Sequence, residues 1–238
     1  MIFERKKFEN FDLNVLFENI HYDLLYLRFF NLKKNQTDKL LKLEDEISSV
    51  KKEIIENNYI NAKGVYKIFK VSKNDNFINV FDDKGNVVEK IETIRNKNGV
   101  CIADFLNEED WVGFISTSVF VDENIYDKFI EKKDFSKLYI INSLSIMMAE
   151  AFIEVLHYYI RRDFGICENT DLKELYKKPK TGLRYSPGYP GLDISVNKKI
   201  YALLNAKELG SKITSSYMIE PESSVQALVL FSNNAKYL

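Results

Sequence analysis

The sequence predicts an α+β fold in which helices flank an antiparallel sheet. Three observations predict it: helical periodicity in residues 37–57, a block of short β-rich runs between residues 64 and 121, and an apolar stretch, residues 138–149, that suits a core helix. The last stretch is well short of the ~20 residues that a bilayer requires. At 238 residues the chain is long for one average domain and short for two. We therefore expect one compact unit with an N-terminal helical region, residues 1–60, ahead of an α+β domain, residues 61–238.

Charge and composition narrow the range of partners. The 34 Lys and Arg residues nearly balance the 35 Asp and Glu residues, so no overall basic field is available to bind nucleic acid. The first ten residues lack the apolar segment and cleavage site of a secretory signal, and we expect a cytoplasmic protein that does not bind a membrane. Cys101 and Cys167 do not form a CxxC pair, and with only His21 and His157 beside them no usual zinc cluster can be assembled. No metal site is expected.

The first long helix is predicted by a narrow apolar stripe on a charged segment between residues 37 and 57. Its apolar residues step by three and four and are Leu40, Leu43, Ile47, Val50 and Ile54. The spacing would also suit a coiled coil with a partner helix, but two heptads are few for one. We expect the stripe to pack on the protein's own body.

The β-rich block predicts an antiparallel meander. Its first three strands are expected at Val65–Val71, Phe77–Phe81 and Val87–Ile94, and the segment Asp82–Asn86 has the composition of a turn. Two further apolar runs fit additional strands, and they are Val100–Leu106 and Val112–Val121.

A second long helix is expected from Ser136, as its N-cap, to Asp163, with Gly165 as the stop. It is apolar around most of its axis. The polar exceptions share one face because they follow i, i+4, i+7, i+11 spacing, and they are Glu150, Glu154, His157 and Arg161. That face is either solvated, with Glu and Arg pairs, or it lines a binding cleft.

The C-terminal part is predicted to contain one short helix and two strands. The helix runs from Ser195 to Leu209 and stops at Gly210, and the strands are Ser215–Ile219 and Val225–Phe231.

The segment between residues 179 and 191 holds three of the four prolines and three of the nine glycines. Stiff and permissive backbone is thus concentrated in one place, which predicts a shaped loop. Within it lies the stretch 184–190, RYSPGYP. The chain has no dinucleotide-binding or P-loop glycine motif, no GxSxG elbow and no HExxH. Nothing links either histidine to a nucleophile, so no catalytic residue is expected.

The chemistry of this loop suits an amino-acid nucleoside. Arg184 can bind a carboxylate in a two-pronged fashion, the extended residues after it offer backbone groups to the edge of a purine, and Gly188 lets the main chain approach a ligand closely. The alternative is a rigid surface turn with one exposed arginine.

The stretch 184–190 resembles the RxxPGYP-type motif of the activation domain of vitamin-B12-dependent methionine synthase. Other segments agree: MAEAFIEVLH at 148–157 is similar to the family's AEAFAExLH helix, and VCIADF at 100–105 to its LADF strand. The segments 61–66 and 216–225 resemble the family's first strand and its final SxxMxPxxSV hairpin. The matches run in family order over nearly the whole chain.

The resemblance implies a helmet-like single domain with a twisted antiparallel sheet. It also implies an S-adenosylmethionine-binding reactivation protein that supports reductive methylation of cob(II)alamin on a separate corrinoid-dependent methionine synthase, with a flavodoxin-type electron donor. The residues implied to bind the nucleoside are Arg184, on the methionyl carboxylate, followed by Tyr185, Ser186, Pro187, Gly188 and Tyr189. Glu150, Glu154 and Tyr189 are expected to face the partner and its corrin.

The chain departs from the family pattern at three places. Residues 191–194 read GLDI instead of Cys-Pro-acid-His, which is closer to self-standing relatives. The family's late tyrosine beside the nucleoside has no counterpart in residues 228–231, LVLF, and its N-terminal acidic ligand is expected at His21 or Asp23. Two other functions stay open: a corrinoid-protein docking module that has lost the nucleoside, and a regulator of another corrinoid methyltransferase.

Overall fold

The described part of the chain contains six α-helices and nine β-strands. A computed structural model describes residues 2–33, 35–166 and 181–238. Its helices are α1 (Leu13–Glu18), α2 (Tyr22–Phe30), α3 (Thr37–Asn57), α4 (Asn124–Glu131), α5 (Phe135–Phe164) and α6 (Val196–Leu203). Its strands are β1 (Lys6–Phe8), β2 (Ile60–Asn74), β3 (Phe77–Phe81), β4 (Val87–Glu92), β5 (Glu109–Val121), β6 (Leu183–Tyr185), β7 (Lys212–Ile213), β8 (Ile219–Glu220) and β9 (Ser224–Leu230).

Seven of the strands form one antiparallel sheet flanked by helices. Six of them follow the order β4-β3-β2-β5-β9-β6, and β1 pairs with the first half of β2. The long central strands β2 and β5 are paired from Ile60 with Val121 to Ser72 with Glu109. Strands β7 and β8 form a separate pair. The predicted α+β architecture is therefore confirmed.

The sheet buries a different apolar cluster on each face. On one face α5 packs with α1 to α3 against side chains such as Ile115 and Val229; on the other, α6 and two 3₁₀ segments cover Phe114 and Leu228. Alternating residues of β5 and β9 supply the two faces because successive side chains in a strand point in opposite directions. Helix α5 approaches the sheet so closely that a Cβ on Gly64 would lie 2.8 Å from Leu156 Cδ1.

Helix α5 is the core helix that the apolar run predicted. Among the described residues it alone has the length and hydropathy of a membrane-spanning helix, but 67% of its most apolar window is buried within the protein. Its N-cap is Asp134, whose side chain accepts a hydrogen bond from Lys137 N at 3.2 Å, and not Ser136. Gly165 ends it at φ 83°, as expected.

The N-terminal region packs on the protein's own body. The predicted stripe on α3 buries Leu43, Ile47, Val50 and Ile54 in the same cluster as α5, which confirms packing on the chain itself over a coiled coil. The region is not purely helical, because Lys6–Phe8 forms β1 of the sheet.

Three predicted elements are wrong in form. Residues 100–106 do not form a strand: Ile102–Phe105 is a 3₁₀ turn, capped by the Asp104 carboxylate, which accepts from Cys101 N at 2.9 Å. The helix predicted from Ser195 to Leu209 is split, because Asn205 adopts the left-handed region at φ 47°.

The predicted strand Ser215–Ile219 is the third error. Thr214 Oγ1 accepts a hydrogen bond from Met218 N at 3.0 Å, and Tyr217 has φ 64°, so the segment is a tight turn that reaches β8 only at Ile219. A threonine hydroxyl that bonds nearby backbone competes with strand pairing.

Candidate functional site

A large cavity, called the main cavity below, lies where strand β6 ends. It has a volume of about 660 Å³ and opens between α5, the loop after β6, the start of α6 and the strands β8 and β9. Its lining residues are Glu150, Glu154, His157, Arg184, Tyr185, Ser186, Pro187, Tyr189, Pro190, Ile194, Asn197, Met218, Ile219, Glu222, Ser224, Val225, Gln226, Tyr237 and Leu238.

The cavity exists because β6 is shorter than its neighbour. Tyr185, the last residue of β6, pairs with Leu228, so β6 covers β9 only from Leu228 to Leu230. The remaining length of β9, from Ser224 to Ala227, has no β6 partner, and the chain turns away at Ser186. An uncovered strand edge can offer backbone hydrogen-bonding groups to a ligand.

A partly buried ion pair lies in the cavity wall. Arg184 Nη2 donates to Glu154 Oε1 at 2.6 Å, and each side chain is 18% exposed. Arg184 is held by β6, on the α5 side of the sheet, because its strand partner is Val229. Burial by itself would raise the pKa of Glu154, but the contacts with His157 and Arg184 outweigh it, so this pKa lies below its usual value.

His157 joins the same group from the next turn of α5. Its Nε2 lies 2.6 Å from the carbonyl oxygen of Gly182, and its Nδ1 lies 3.5 Å from Glu154 Oε2. Burial lowers the pKa of His157 below its usual value, although Glu154 acts in the opposite direction. These contacts fix the start of the Arg184 segment to α5.

The loop after β6 is closed by its own backbone. Gly188 N donates to Leu192 O at 3.0 Å, and Leu192 N donates to Tyr189 O at 3.1 Å. Gly188 has φ 87°, and its added Cβ would also lie 3.2 Å from Ile194 Cδ1, so glycine is required there. From residue 181 onward, where the structure describes the chain, this geometry agrees with the shaped loop that the Pro and Gly pattern predicted. Pro179 lies outside the described residues.

A tyrosine near the C-terminus completes the wall. The ring of Tyr237 lies 5.7 Å from the ring of Tyr185, and Tyr185 Oη donates to Lys236 O at 2.8 Å, which holds the C-terminal segment against β6. Burial raises the pKa of Tyr237, although the charge of Arg184 acts in the opposite direction. The expectation that this chain lacks a late tyrosine is corrected: residues 228–231 contain none, but Tyr237 lines the cavity.

The cavity brings together most of the residues singled out from the sequence. The two predicted glutamates lie on its α5 wall near Arg184, so three residues of the polar stripe, with His157, face a cleft. Arg161, the fourth, does not line it. Tyr189 is 70% exposed at the rim. Gly188 shapes the loop but does not line the cavity.

The two candidates for an N-terminal acidic ligand lie elsewhere. His21 caps α2, where its Nδ1 accepts from Leu24 N at 3.2 Å, and Asp23 borders a separate small hollow beside Tyr26. Neither lines the main cavity. Glu222, which precedes β9, is an acidic lining residue that sequence reasoning missed, because no periodicity marks its segment.

Comparison with known proteins agrees with this geometry. A solved structure described as the crystal structure of the MetH reactivation domain bound to AdoHcy has a TM-score of 0.85 and 22% sequence identity to this chain, and the match covers 99% of this chain and 80% of that one. The likeness shows a shared fold. The family described as vitamin B12 dependent methionine synthase, activation domain, matches residues 5–238. Because this match takes in the sheet, the helices and the whole cavity, the chain belongs to the family of vitamin B12-dependent methionine synthase activation domains.

Proposed function

We propose that this chain binds S-adenosylmethionine in the main cavity and supports reductive methylation of cob(II)alamin on a separate corrinoid-dependent methionine synthase. The observation that carries the proposal is the partly buried pair of Arg184 and Glu154, 2.6 Å apart in the cavity wall. An α-amino acid carries a carboxylate and an ammonium group. It can therefore exchange partners with this pair, its carboxylate on Arg184 and its ammonium on Glu154.

The charge and size of the cavity fit the whole ligand. Among the described lining residues, the carboxylates of Glu150, Glu154 and Glu222 outnumber the single cation of Arg184. S-adenosylmethionine has a sulfonium, an ammonium and a carboxylate, and its net positive charge complements that excess. A volume of about 660 Å³ lies within the usual range for small-molecule sites.

The nucleoside would lie along the uncovered edge of β9. Backbone groups of Tyr185, Ser186 and Pro187 border that edge, and the Tyr237 ring offers an apolar surface. Tyr189 and Glu150 would face the corrin at the open side. The solved structure with the same fold is described as bound to AdoHcy, the demethylated product of this ligand, which supports a nucleoside site in this fold.

The protein would act by positioning. The corrinoid, an electron from a flavodoxin-type donor and the sulfonium methyl would together supply the chemistry that returns cob(II)alamin to methylcobalamin. The residues of this chain would hold the methionyl group at Arg184 and Glu154, so that the methyl points to the corrin side. The sequence GLDI at 191–194, similar to self-standing relatives, supports a corrinoid carried by another protein in the cytoplasm.

A calorimetric titration with S-adenosylmethionine tests the binding step. We expect saturable binding below millimolar ligand. No binding at millimolar ligand would support a docking module without the nucleoside instead.

A spectroscopic assay tests the action on a separate protein. The chain is mixed with a cob(II)alamin-loaded methionine synthase that lacks its own activation domain, together with a reduced flavodoxin-type donor and S-adenosylmethionine. The cob(II) absorbance should disappear only when all components are present. If it persists, while the chain binds the nucleoside, the protein acts on a different corrinoid protein.

A further inference from the structure

Gln226 lines the cavity and has a buried polar atom without a hydrogen-bond partner among the described residues. Its side chain is 3% exposed, and its Nε2 donates to Ser116 Oγ at 3.2 Å, but its Oε1 has no hydrogen-bond partner among the described residues. The other such atom among these residues is Nε of Arg161, which does not line the cavity. Because a buried amide oxygen without a partner destabilises a protein, Gln226 requires an explanation.

The surroundings of Gln226 are polar where folding alone would favour apolar side chains. Gln226 pairs with Ser116 across β9 and β5, and the next pair on the same face joins Ser224 to Ser118, whose hydroxyls lie 2.9 Å apart. Farther along this face, Leu228 belongs to the apolar cluster under α6. The face therefore changes from apolar to polar where it reaches the cavity.

The register of β9 places Gln226 opposite the ion pair. Gln226 shares a face with Leu228, on the α6 side, whereas Arg184 pairs with Val229 and lies on the α5 side. The cavity joins the two sides along the part of β9, from Ser224 to Ala227, that has no β6 partner. A ligand that extends between them needs a charged amino-acid end and a neutral polar end.

We infer that Gln226 is a specificity-determining residue whose Oε1 accepts a hydrogen bond from a neutral donor on the nucleoside. The inference rests on the proposed function, because it presumes that an amino-acid nucleoside occupies the cavity. Two groups of the nucleoside have this chemistry: the 6-amino group of the adenine and the hydroxyls of the ribose. Neither needs a charged partner, which matches a neutral amide.

The test compares wild type with Gln226→Met, a variant of similar length and shape that lacks the acceptor. Calorimetry is performed with S-adenosylhomocysteine, with its analogue that has hydrogen in place of the 6-amino group, and with its 2′,3′-dideoxy analogue. We expect Gln226→Met to bind S-adenosylhomocysteine about 3- to 10-fold more weakly than wild type. For the analogue that lacks the group bound by Oε1, the two proteins should have equal affinity. The analogue for which the difference disappears therefore identifies the donor.

The outcomes separate the two proposals. If wild type does not bind S-adenosylhomocysteine, the proposed function is wrong and this inference falls with it. If wild type binds and Gln226→Met binds equally well, only the inference is overturned. An equal loss of affinity for all three ligands also overturns it, because that pattern indicates a change of cavity shape. Gln226→Met also loses the hydrogen bond from Nε2 to Ser116 Oγ, and the melting temperature of the ligand-free variant measures the cost of that loss separately from ligand affinity.

Discussion

The Arg184 side chain has two roles, and any substitution that removes its charge affects both of them. It neutralises Glu154 in a pair whose members are each 18% exposed, and it is proposed to bind the ligand carboxylate. Removing one partner of a partly buried pair leaves an uncompensated charge and is destabilising. Arg184→Ala should therefore fold less stably than wild type.

We predict that Arg184→Ala binds S-adenosylmethionine about ten- to a hundredfold more weakly than wild type, because a charge-assisted hydrogen bond contributes roughly 1.5–3 kcal/mol. Arg184→Lys should recover part of the loss, because a point charge cannot make a two-pronged contact. Calorimetry well below the melting temperature of each variant measures this. Arg162→Ala is the matched control, since Arg162 lies outside the cavity lining, 55% exposed. Wild-type affinity in Arg184→Ala would contradict the assignment.

His157 should make stability depend on pH. Its pKa in the folded protein is lowered, chiefly by burial, with Arg184 acting in the same direction and Glu154 and Gly182 in the opposite one. As the pH falls to about 6.5, His157 takes up a proton in the unfolded chain but stays neutral in the folded chain. The free energy of unfolding therefore falls as pH decreases through about 6.5 toward the lower, folded pKa.

We predict that His157→Gln weakens this dependence. The slope that it removes should be at most about 1.4 kcal/mol per pH unit, the value for one proton. Glutamine can still donate to Gly182 O, so the tether to the Arg184 segment has a substitute. Urea unfolding of both proteins between about pH 7.5 and pH 5.5 measures the difference. Parallel pH profiles for the two proteins would exclude His157 as the source.

At the scale of elements, sequence patterns predicted those segments whose side-chain spacing sets the structure. The regular apolar steps of α3 gave bounds that agree with Thr37–Asn57, and β3 agrees at both ends. The wrong predictions concern segments in which hydrogen bonds between side chains and nearby backbone determine the backbone conformation. Asp104 caps a 3₁₀ turn in place of a predicted strand, and Thr214 closes a turn in place of another.

The candidate site was predictable only in part, for a related reason. Arg184 and its loop have a compact sequence pattern, and the polar stripe of α5 has helical spacing. Gln226 and Tyr237 have neither. They reach the cavity because β9 pairs with β5 and β6 in a particular register, and because the C-terminal segment contacts Tyr185. Such long-range pairings leave no periodic signal in their own segments.

Helix α3 offers a matched pair of neighbours that tests its packing. Ile54 is fully buried in the cluster with α5, whereas Ile55 is 40% exposed. We predict that Ile54→Ala lowers the free energy of unfolding by about 2–5 kcal/mol, and that Ile55→Ala changes it by less than about 1 kcal/mol. Chemical denaturation measures both. Equal effects of the two variants would show that the stripe is not packed as described.

At the scale of the whole molecule, the N-terminal helices, α5 and one face of the sheet share a single apolar cluster. The sheet in turn carries the second cluster on its other face. Because β2, β5 and β9 contribute to both clusters, neither can come apart without disrupting the sheet. The cavity depends on both, since α5 supplies one wall and β9 with α6 the other.

We predict a single cooperative unfolding transition. Far-ultraviolet circular dichroism follows the helices, and fluorescence follows Trp111, the one tryptophan of the chain, whose ring lies 5.2 Å from Phe3 beside the sheet. The two probes should give coincident midpoints in urea. If the helical signal is lost at a lower urea concentration than the fluorescence signal, the N-terminal region unfolds as a separate unit.

A crystal structure of this chain with S-adenosylhomocysteine would show whether Arg184 and Glu154 exchange each other for the ligand. The decisive quantity is the distance from the Arg184 guanidinium to the ligand carboxylate. We predict a hydrogen-bonded contact at this point, the ligand ammonium on Glu154, and the nucleoside along the edge of β9 that has no β6 partner. A ligand bound outside the cavity, with the Arg184 and Glu154 pair still intact at 2.6 Å, would contradict it.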